Sequence, residues 1–561
     1  MASKLPLLLA ELRRRKVYRV AAVYVVVGLG ILGAAEVILD PLGLGALRAY
    51  VVILVLLGFP IALVLAWAYE VKPEQQQALE SAESERTQHH GALPSEDLRP
   101  SLAVLPFANL SLDPKNEFFG LGVMDDVLTR LTAVGGLRVI SRASVIRYLV
   151  GDKSTPEIAR ELGVTNLLEG SVRREGNRVR VVAQLVDAKT DEHLWASTYD
   201  RDLEDVFRVQ TDVAESIALA LRAELSAEER KRVRRVPTEN LAAYDRFVRA
   251  VGATERMLPE DLAEAEEHCQ EAIRLDPGFA KAYAVLAQSR VMAGLYANQH
   301  PAELFPKIQE AASRALELDP QCVEARTAMA AFKLHYEWDS VAAGQELARA
   351  LALNPDASDA HLWQGDYLLC HGRFDEAETE VRRALASDPL SPLAHHDLGK
   401  VLALSGRPAE AVQVSRAAAD LWPDLPTLHL WTGTSHFLLN EPEEALPSFE
   451  KAAQLSGGLP FFESMRGLGL AVLGLREEAR TVLEGLKTRS LSEYVDPYNL
   501  FQVTAALDGL EDALPYLEEA LEVRSFFLPY LGVLPPYKSF HNHPRFRAVL
   551  DKIWPGVSFE V

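Results

Sequence analysis

Alanine recurs every 34 residues through the C-terminal half of this chain. Ala343, Ala377, Ala411, Ala445, Ala479 and Ala513 keep the interval, and Ala350, Ala384, Ala418, Ala452, Leu486 and Ala520 follow each of them by seven. Gly365, Gly399, Gly433 and Gly467 hold the same period, and Pro355, Pro389 and Pro423 close three of the units. Small residues at fixed offsets mark paired helices that approach closely. One such pair cannot bury its apolar side, so neighbours stack and share a continuous core. An earlier unit reads EAEEHCQEAIRLDP (264–277), with Ala265, Ala272 and Pro277 in the corresponding places. The unit ending at Pro320 is longer by nine residues, near LYANQHPAE, and carries Ile308 where a small residue is expected. About eight units run from Leu241 onwards.

This period is the signature of the tetratricopeptide repeat (TPR), so residues 240–525 are expected to form an all-α TPR superhelix. Such an array binds partners on its concave face, which is lined by the first helix of each pair. His361, Gln364, His395, Lys400 and His436 are the candidate contact residues there. Trp338, in HYEWDS beside an inter-helix turn, is a further candidate, whereas Trp363 and Trp431 read as packing residues. Beyond 525 the pattern changes. Residues 526–561, with Pro535-Pro536 and then RFRAVLDKI, read as a C-terminal cap over the last repeat.

The whole chain has 561 residues, too many for one core, so several units are expected. Its net charge is −21, from 79 acidic and 58 basic residues, which disfavours nucleic acid as a partner. Cys269, Cys322 and Cys370 lie too far apart in sequence to form a metal or redox pair. No catalytic motif, cofactor loop or metal-ligand spacing stands out. GxSxG, HExxH and a phosphate loop are all missing, and His541 and His543 lack a third ligand.

Two apolar runs stand near the N-terminus, VYRVAAVYVVVGLGILGAAEVIL (17–39) and AYVVILVLLGFPIALVLAWAY (49–69). Each is long enough to cross a bilayer as a helix. Arg13-Arg14-Arg15-Lys16 precedes the first run, and the short loop between them carries only Arg48. The expectation is a two-helix transmembrane hairpin over 17–70, with residues 1–16 a basic cytoplasmic N-terminus and 71–99 a flexible linker. The implied site is the bacterial inner membrane, with both termini cytoplasmic and lipid contacted through 17–70.

Residues 100–228 read as a small α/β domain. SLAVLPF and LRVI are strand-like, and a helix is expected from Phe119 to Ala133. Ser154 and Glu157 have capping-box spacing ahead of a helix that stops at Gly163. NLLEGSVRRE and RVRVVAQLVDA flank Gly176-Asn177 as a hairpin, HLWASTYD (193–200) is a third strand, and a helix is expected over Val206–Leu225. Arg173 and Arg174 on the hairpin are candidates for contact with an anion or partner. Asp125 and Asp126 point about 100° apart on their helix and read as solvated charges at its start.

LAVLPFANLS (102–111), FFGLGVMDDVLTRL (118–131), ELGVTNLLEGSVRREGNRVRVVAQLVDAKTDEHLWASTYDR (161–201) and DLEDVFRVQTDVA together resemble the TolB-like N-terminal domain of bacterial TPR proteins. ELRRRKVYRVAAVYVVVG and GFPIALVLAWAYEVKPE resemble the membrane hairpin of the same architecture. The resemblance implies architecture more than activity. The expected function is a non-enzymatic, membrane-anchored scaffold or regulatory protein that binds protein partners through its repeats. The alternative is a signalling component whose α/β domain senses a small ligand and whose repeats relay it. A pocket of clustered polar groups in the α/β domain favours sensing, and a clean concave groove with no pocket favours assembly.

Overall fold

A computed structural model describes residues 99–111, 119–149, 153–202, 205–254, 258–296, 298–557 and 559. The basic N-terminus (1–16), the hairpin segment (17–70) and all of the linker except Arg99 lie outside the described residues. Among the described residues no helix is long and apolar enough to cross a membrane. This corrects the expected fold class, localisation and lipid partner. The architecture that stands is an α/β domain joined to an all-α repeat array. A crossing needs about 20 consecutive apolar residues. Even the 18-residue helix PAELFPKIQEAASRALEL carries charge on every turn.

The α/β domain is built on one six-stranded sheet. Its strands are β1 (Ser101–Val104), β2 (Ala108–Asn109), β3 (Arg138–Val139), β4 (Asn166–Glu175), β5 (Arg178–Asp187) and β6 (His193–Asp202). The order is β3-β1-β4-β5-β6, and β2 also pairs with β4. β1 runs parallel to both β3 and β4, with Leu102 opposite Val139 and Asn166. β4, β5 and β6 form an antiparallel meander. Gly176 adopts a left-handed φ of 58°, which the tight turn between β4 and β5 requires.

Helix α1 (Phe119–Thr132) covers the sheet, and the short α2 (Arg142–Val145) follows β3. α3 (Thr155–Leu162) opens on the Ser154/Glu157 capping box and ends at Gly163 in the left-handed region. α4 (Val206–Ala220) stops before the expected Leu225. Arg222 turns the chain with a φ of 56°, and α5 (Ala227–Val233) starts on a second capping box, Ser226 with Glu229. Asp125 and Asp126 are not solvated charges, because both are buried. Asp125 accepts from Arg142 Nε at 2.6 Å. Burial raises the Asp126 carboxyl above its usual range against the pull of Arg130.

The repeats follow as antiparallel helix pairs. The first two are α6 (Leu241–Thr254) with α7 (Pro259–Leu275) and α8 (Ala280–Tyr296) with α9 (Pro301–Leu318). Next come α10 (Val323–Phe332) with α11 (Ser340–Leu353) and α12 (Ser358–Cys370) with α13 (Phe374–Ser387). Then α14 (Pro392–Leu404) pairs with α15 (Pro408–Leu421), and α16 (Pro426–Leu438) with α17 (Pro442–Leu455). The last are α18 (Pro460–Val472) with α19 (Arg476–Arg489) and α20 (Pro497–Asp508) with α21 (Leu510–Val523).

The periodic alanines lie at the helix contacts: Ala343, Ala377, Ala411, Ala445, Ala479 and Ala513 are each 0% exposed. Gly433 shows how tight those contacts are. A Cβ there would stand 2.7 Å from the Phe449 ring. Ala411→Leu is therefore expected to cost about 1–3 kcal/mol by overpacking, read as a lower midpoint in urea unfolding.

The α/β domain docks on the C-terminal ends of second helices, where carbonyls lack intrahelical partners. Arg138 donates to Ala386 O at 2.8 Å and Arg232 to Leu353 O at 3.2 Å. The Ser141 amide donates to Ser387 O at 3.0 Å, and Ser144 Oγ bonds Asp388. Arg99 pairs with Asp356 at 2.7 Å.

The array curls until its ends meet. In the long loop of the second repeat, Asn298 Nδ2 donates to Tyr494 O, and the His300 ring lies 4.8 Å from that of Tyr494. Asn298 and His300 thus reach across to the turn between α19 and α20. The C-terminal segment departs from a simple end cap. α22 (Pro544–Ile553) packs on α21, but residues 524–537 turn inward along the first helices. Phe526 stacks on His335 at 4.0 Å and meets Phe305 at 5.9 Å, while Phe527 stacks on Phe461 at 4.4 Å.

Candidate functional site

Between the first helices and this inturned segment lies an apolar chamber of about 170 Å³. Repeat-equivalent positions build its wall. Trp363, Asp397, Trp431 and Met465 are spaced by one period each, as are Asp366, Lys400, Thr434 and Leu468. Phe437, Phe461, Phe527 and Tyr530 complete the lining. The side facing solvent is formed by Thr434, Phe437 and Leu438, all half-buried, and by exposed Pro536.

A chain of buried polar groups forms the floor. Lys400 Nζ lies 2.7 Å from Asp366 Oδ1 and 2.9 Å from Asp397 Oδ1. The Tyr530 hydroxyl donates to Asp366 Oδ1 at 2.7 Å. His335, 0% exposed, places Nε2 3.2 Å from Asp366 Oδ2 and Nδ1 3.0 Å from Phe526 O. Both of its nitrogens thus face oxygen atoms. At the other end Trp431 Nε1 donates to His396 Nε2 at 2.8 Å, which makes Nδ1 the protonated nitrogen, 3.0 Å from Asp397 Oδ1. The Lys400 ammonium and the His335 ring thus face the two buried carboxylates, which lie against partners as buried ions require.

The titration directions agree with this pairing. Burial works to raise the Asp366 carboxyl, but Lys400 and His335 outweigh it and hold it well below the carboxylate range. Burial works to lower the Lys400 ammonium, and Asp366 with Asp397 outweighs that and raises it. His335, Asp366, His396, Asp397 and Lys400 on the floor are each paired or hydrogen-bonded.

Of the candidate contact residues, Lys400 alone lies on this chamber, and Trp363 and Trp431, expected as packing residues, line it as well. His361 and His395 donate from Nε2 to the carbonyls of Pro355 and Pro389, at 2.8 and 3.0 Å. His429 makes the same bond to Pro423 at 2.9 Å, so a 34-residue histidine period staples successive inter-repeat turns. His436 bridges Glu441 and Arg416, at 2.8 and 2.9 Å. Gln364 is half-buried beside the chamber-lining Trp363 and does not line the chamber itself. Trp338 sits in the left-handed region with φ 59° under the Arg524 guanidinium, 4.9 Å from its ring. Arg173 is exposed, with Glu175 at 3.8 Å, and Arg174 lies over Phe119 at 5.7 Å. Asp366, Asp397, His335, His396 and Tyr530 were not singled out. The 34-residue register does place Asp366 opposite Lys400, with opposite charges one repeat apart, and that signal was readable.

A further buried carboxylate marks the seam where the ends of the array meet. Asp496 caps α20 through the Tyr498 amide at 2.9 Å and accepts from Ser525 Oγ at 2.7 Å. Burial, opposed by the hydrogen bonds from Ser525 and Tyr498 and by His300, pushes it up to about 6. A raised carboxyl contributes stability that is complete below the unfolded value near 3.8 and is lost as pH rises through about 6. Relative to Asp496→Asn, the parent should therefore lose roughly 1.4 kcal/mol between pH 5 and 7.5, measured by urea unfolding of both proteins at the two pH values.

Comparison with known proteins points to the same half of the chain. The tetratricopeptide repeat family model matches residues 342–392 and 364–426. This replaces the TolB-like assignment with its membrane hairpin. A Rhizobium meliloti (strain 1021) protein named "Putative adenylate cyclase 3" is 42% identical over 189 residues. That match covers 34% of this chain and 32% of the relative, so this chain spans about a third of the relative's length. Among solved structures, Pseudomonas aeruginosa PilF is 21% identical with a TM-score of 0.29, over 39% of this chain and 96% of PilF. A thermophilic TPR protein of Thermus thermophilus is 22% identical with a TM-score of 0.28, over 35% of this chain and 99% of that one. Among the described residues no three His, Cys, Asp or Glu side chains are grouped to hold a metal ion.

Proposed function

We propose that this chain is a non-enzymatic repeat scaffold that captures a segment of a partner protein at the chamber on the inner face of its repeats. The observation that carries the reading is the chamber itself. Aromatic and apolar side chains at repeat-equivalent positions leave a space of about 170 Å³ that the chain's own inturned segment does not fill. A well-packed pocket of this kind anchors one apolar side chain of a partner, and such anchors carry most of the energy of an interface. The α/β domain, held to the repeats through Arg138, Ser141 and Ser144, gives the array a fixed orientation toward whatever else that domain contacts.

A photo-crosslinking amino acid in place of Phe437, in the full chain in its native cell, tests this. A discrete adduct is expected from that position and none from the same residue at Leu491, which is 86% exposed and far along the array. Equal labelling from both positions, or none from residue 437, would overturn the reading.

A further inference from the structure

The chamber has the size, polarity and hydrogen-bonding demand of one particular side chain. Its volume of about 170 Å³ is close to that of engineered cavities, about 150 Å³, that take up benzene, so it admits a single aromatic ring. Trp431, Phe437 and Phe461 offer the faces and edges against which such a ring packs. Lys400 and the His335 ring already engage Asp366 and Asp397, so a charged guest would be buried without a counter-ion of its own.

One polar atom at the floor is left open. Asp397 receives both His396 Nδ1 and Lys400 Nζ on Oδ1, and among the described residues Oδ2 takes no hydrogen bond. The guest must therefore be uncharged, aromatic and a hydrogen-bond donor. The chain supplies its own precedent. On the neighbouring carboxylate, across the same ammonium, the phenol of Tyr530 donates to Asp366 Oδ1 at 2.7 Å, and Lys400 Nζ lies 5.4 Å from the Tyr530 ring centre. We propose that the chamber reads a tyrosine of the partner protein, with its ring between Trp431, Phe437 and Phe461 and its phenol hydroxyl donating to Asp397 Oδ2. This rests on the scaffold reading above and names the residue that the scaffold recognises.

Two small probes test it on the full chain: p-cresol, which is the tyrosine side chain, and toluene, which lacks only the hydroxyl. Tryptophan fluorescence from Trp363 and Trp431 follows the titrations. Saturable binding is expected for both, with p-cresol at least about tenfold tighter, the effect of a hydrogen bond to a carboxylate in a dry site. Asp397→Asn should erase the difference between the probes. Thr434→Trp, which fills the chamber from its rim without touching the carboxylates, should abolish both titrations, with circular dichroism confirming that the variants are folded. Equal affinities for the two probes, no saturable binding of either, or binding unchanged in Thr434→Trp would each overturn the tyrosine assignment. A tenfold preference for p-cresol without any crosslink from residue 437 would instead sink the scaffold reading and leave a site for free phenols. Equal probe affinities beside a discrete crosslink would keep the scaffold and discard tyrosine as its anchor.

Discussion

Lys400→Met should destabilise the repeat array by about 3–5 kcal/mol, one of the two largest single-residue effects expected in this chain. The ammonium is 8% exposed and lies between Asp366 and Asp397, which are 5% and 6% exposed. Methionine fills much of the same space, so the cost comes from two buried carboxylates that lose the cation they share. The effect should depend on pH in a defined direction. The Asp366 carboxyl is depressed in the folded state, so its contribution is present above the unfolded value near 3.8 and disappears as pH falls through the folded one. In Lys400→Met that depression weakens, and the parent's advantage should shrink as the solution is acidified. The companion variant Asp366→Asn/Lys400→Met removes one charge of each sign and should recover part of the loss. A double-mutant cycle in urea at pH 7 measures the coupling, and additivity of the two single changes would show that the pair does not interact.

Phe526→Ala should cost a comparable 3–5 kcal/mol, for a different reason. This ring is 2% exposed and stacks on His335 at 4.0 Å and against Phe305 at 5.9 Å. It follows the last repeat in sequence, yet it packs on the second and third. In an open array each repeat touches only its neighbours, and stability is a sum of local terms. Here Phe526, the Asn298–Tyr494 bond and the stacking of Phe527 on Phe461 tie distant repeats together. Truncating Phe526 leaves a cavity and also removes a tie. Besides a lower midpoint, the variant should show broader unfolding, with a smaller slope against denaturant than the parent. An unchanged slope would mean that the repeats already unfold independently in the parent.

The repeat array was readable because its cause is local and periodic. Wherever two helices approach closely a small residue is needed, and the need returns every 34 residues as Ala377, Ala411 and Ala445. The α/β hairpin was readable for a similar reason, since Gly176-Asn177 lies between two strands of alternating pattern. The helix boundary at Ala220 was missed because Arg222 takes a left-handed turn that no glycine announces. Asp125 and Asp126 were misread because their burial comes from other elements, Arg142 on α2 and Tyr244 on α6. The membrane hairpin rested on hydropathy in residues 17–70, and no helix among the described residues is of that kind.

The candidate site divides along the same line. Composition and period alone pointed to paired helices and the alanine contacts, and they offered five inner-face candidates, of which only Lys400 lies on the chamber. A period records what each repeat demands of its neighbour, and it says nothing about contacts made once. Those contacts were decided by the curl of the array. It brings Tyr530 onto Asp366, His335 under Phe526 and the long second-repeat loop onto Tyr494. The partners are 164, 191 and 196 residues apart. No local pattern encodes such pairs, because the small rotation from each repeat to the next adds up over the whole array before they meet.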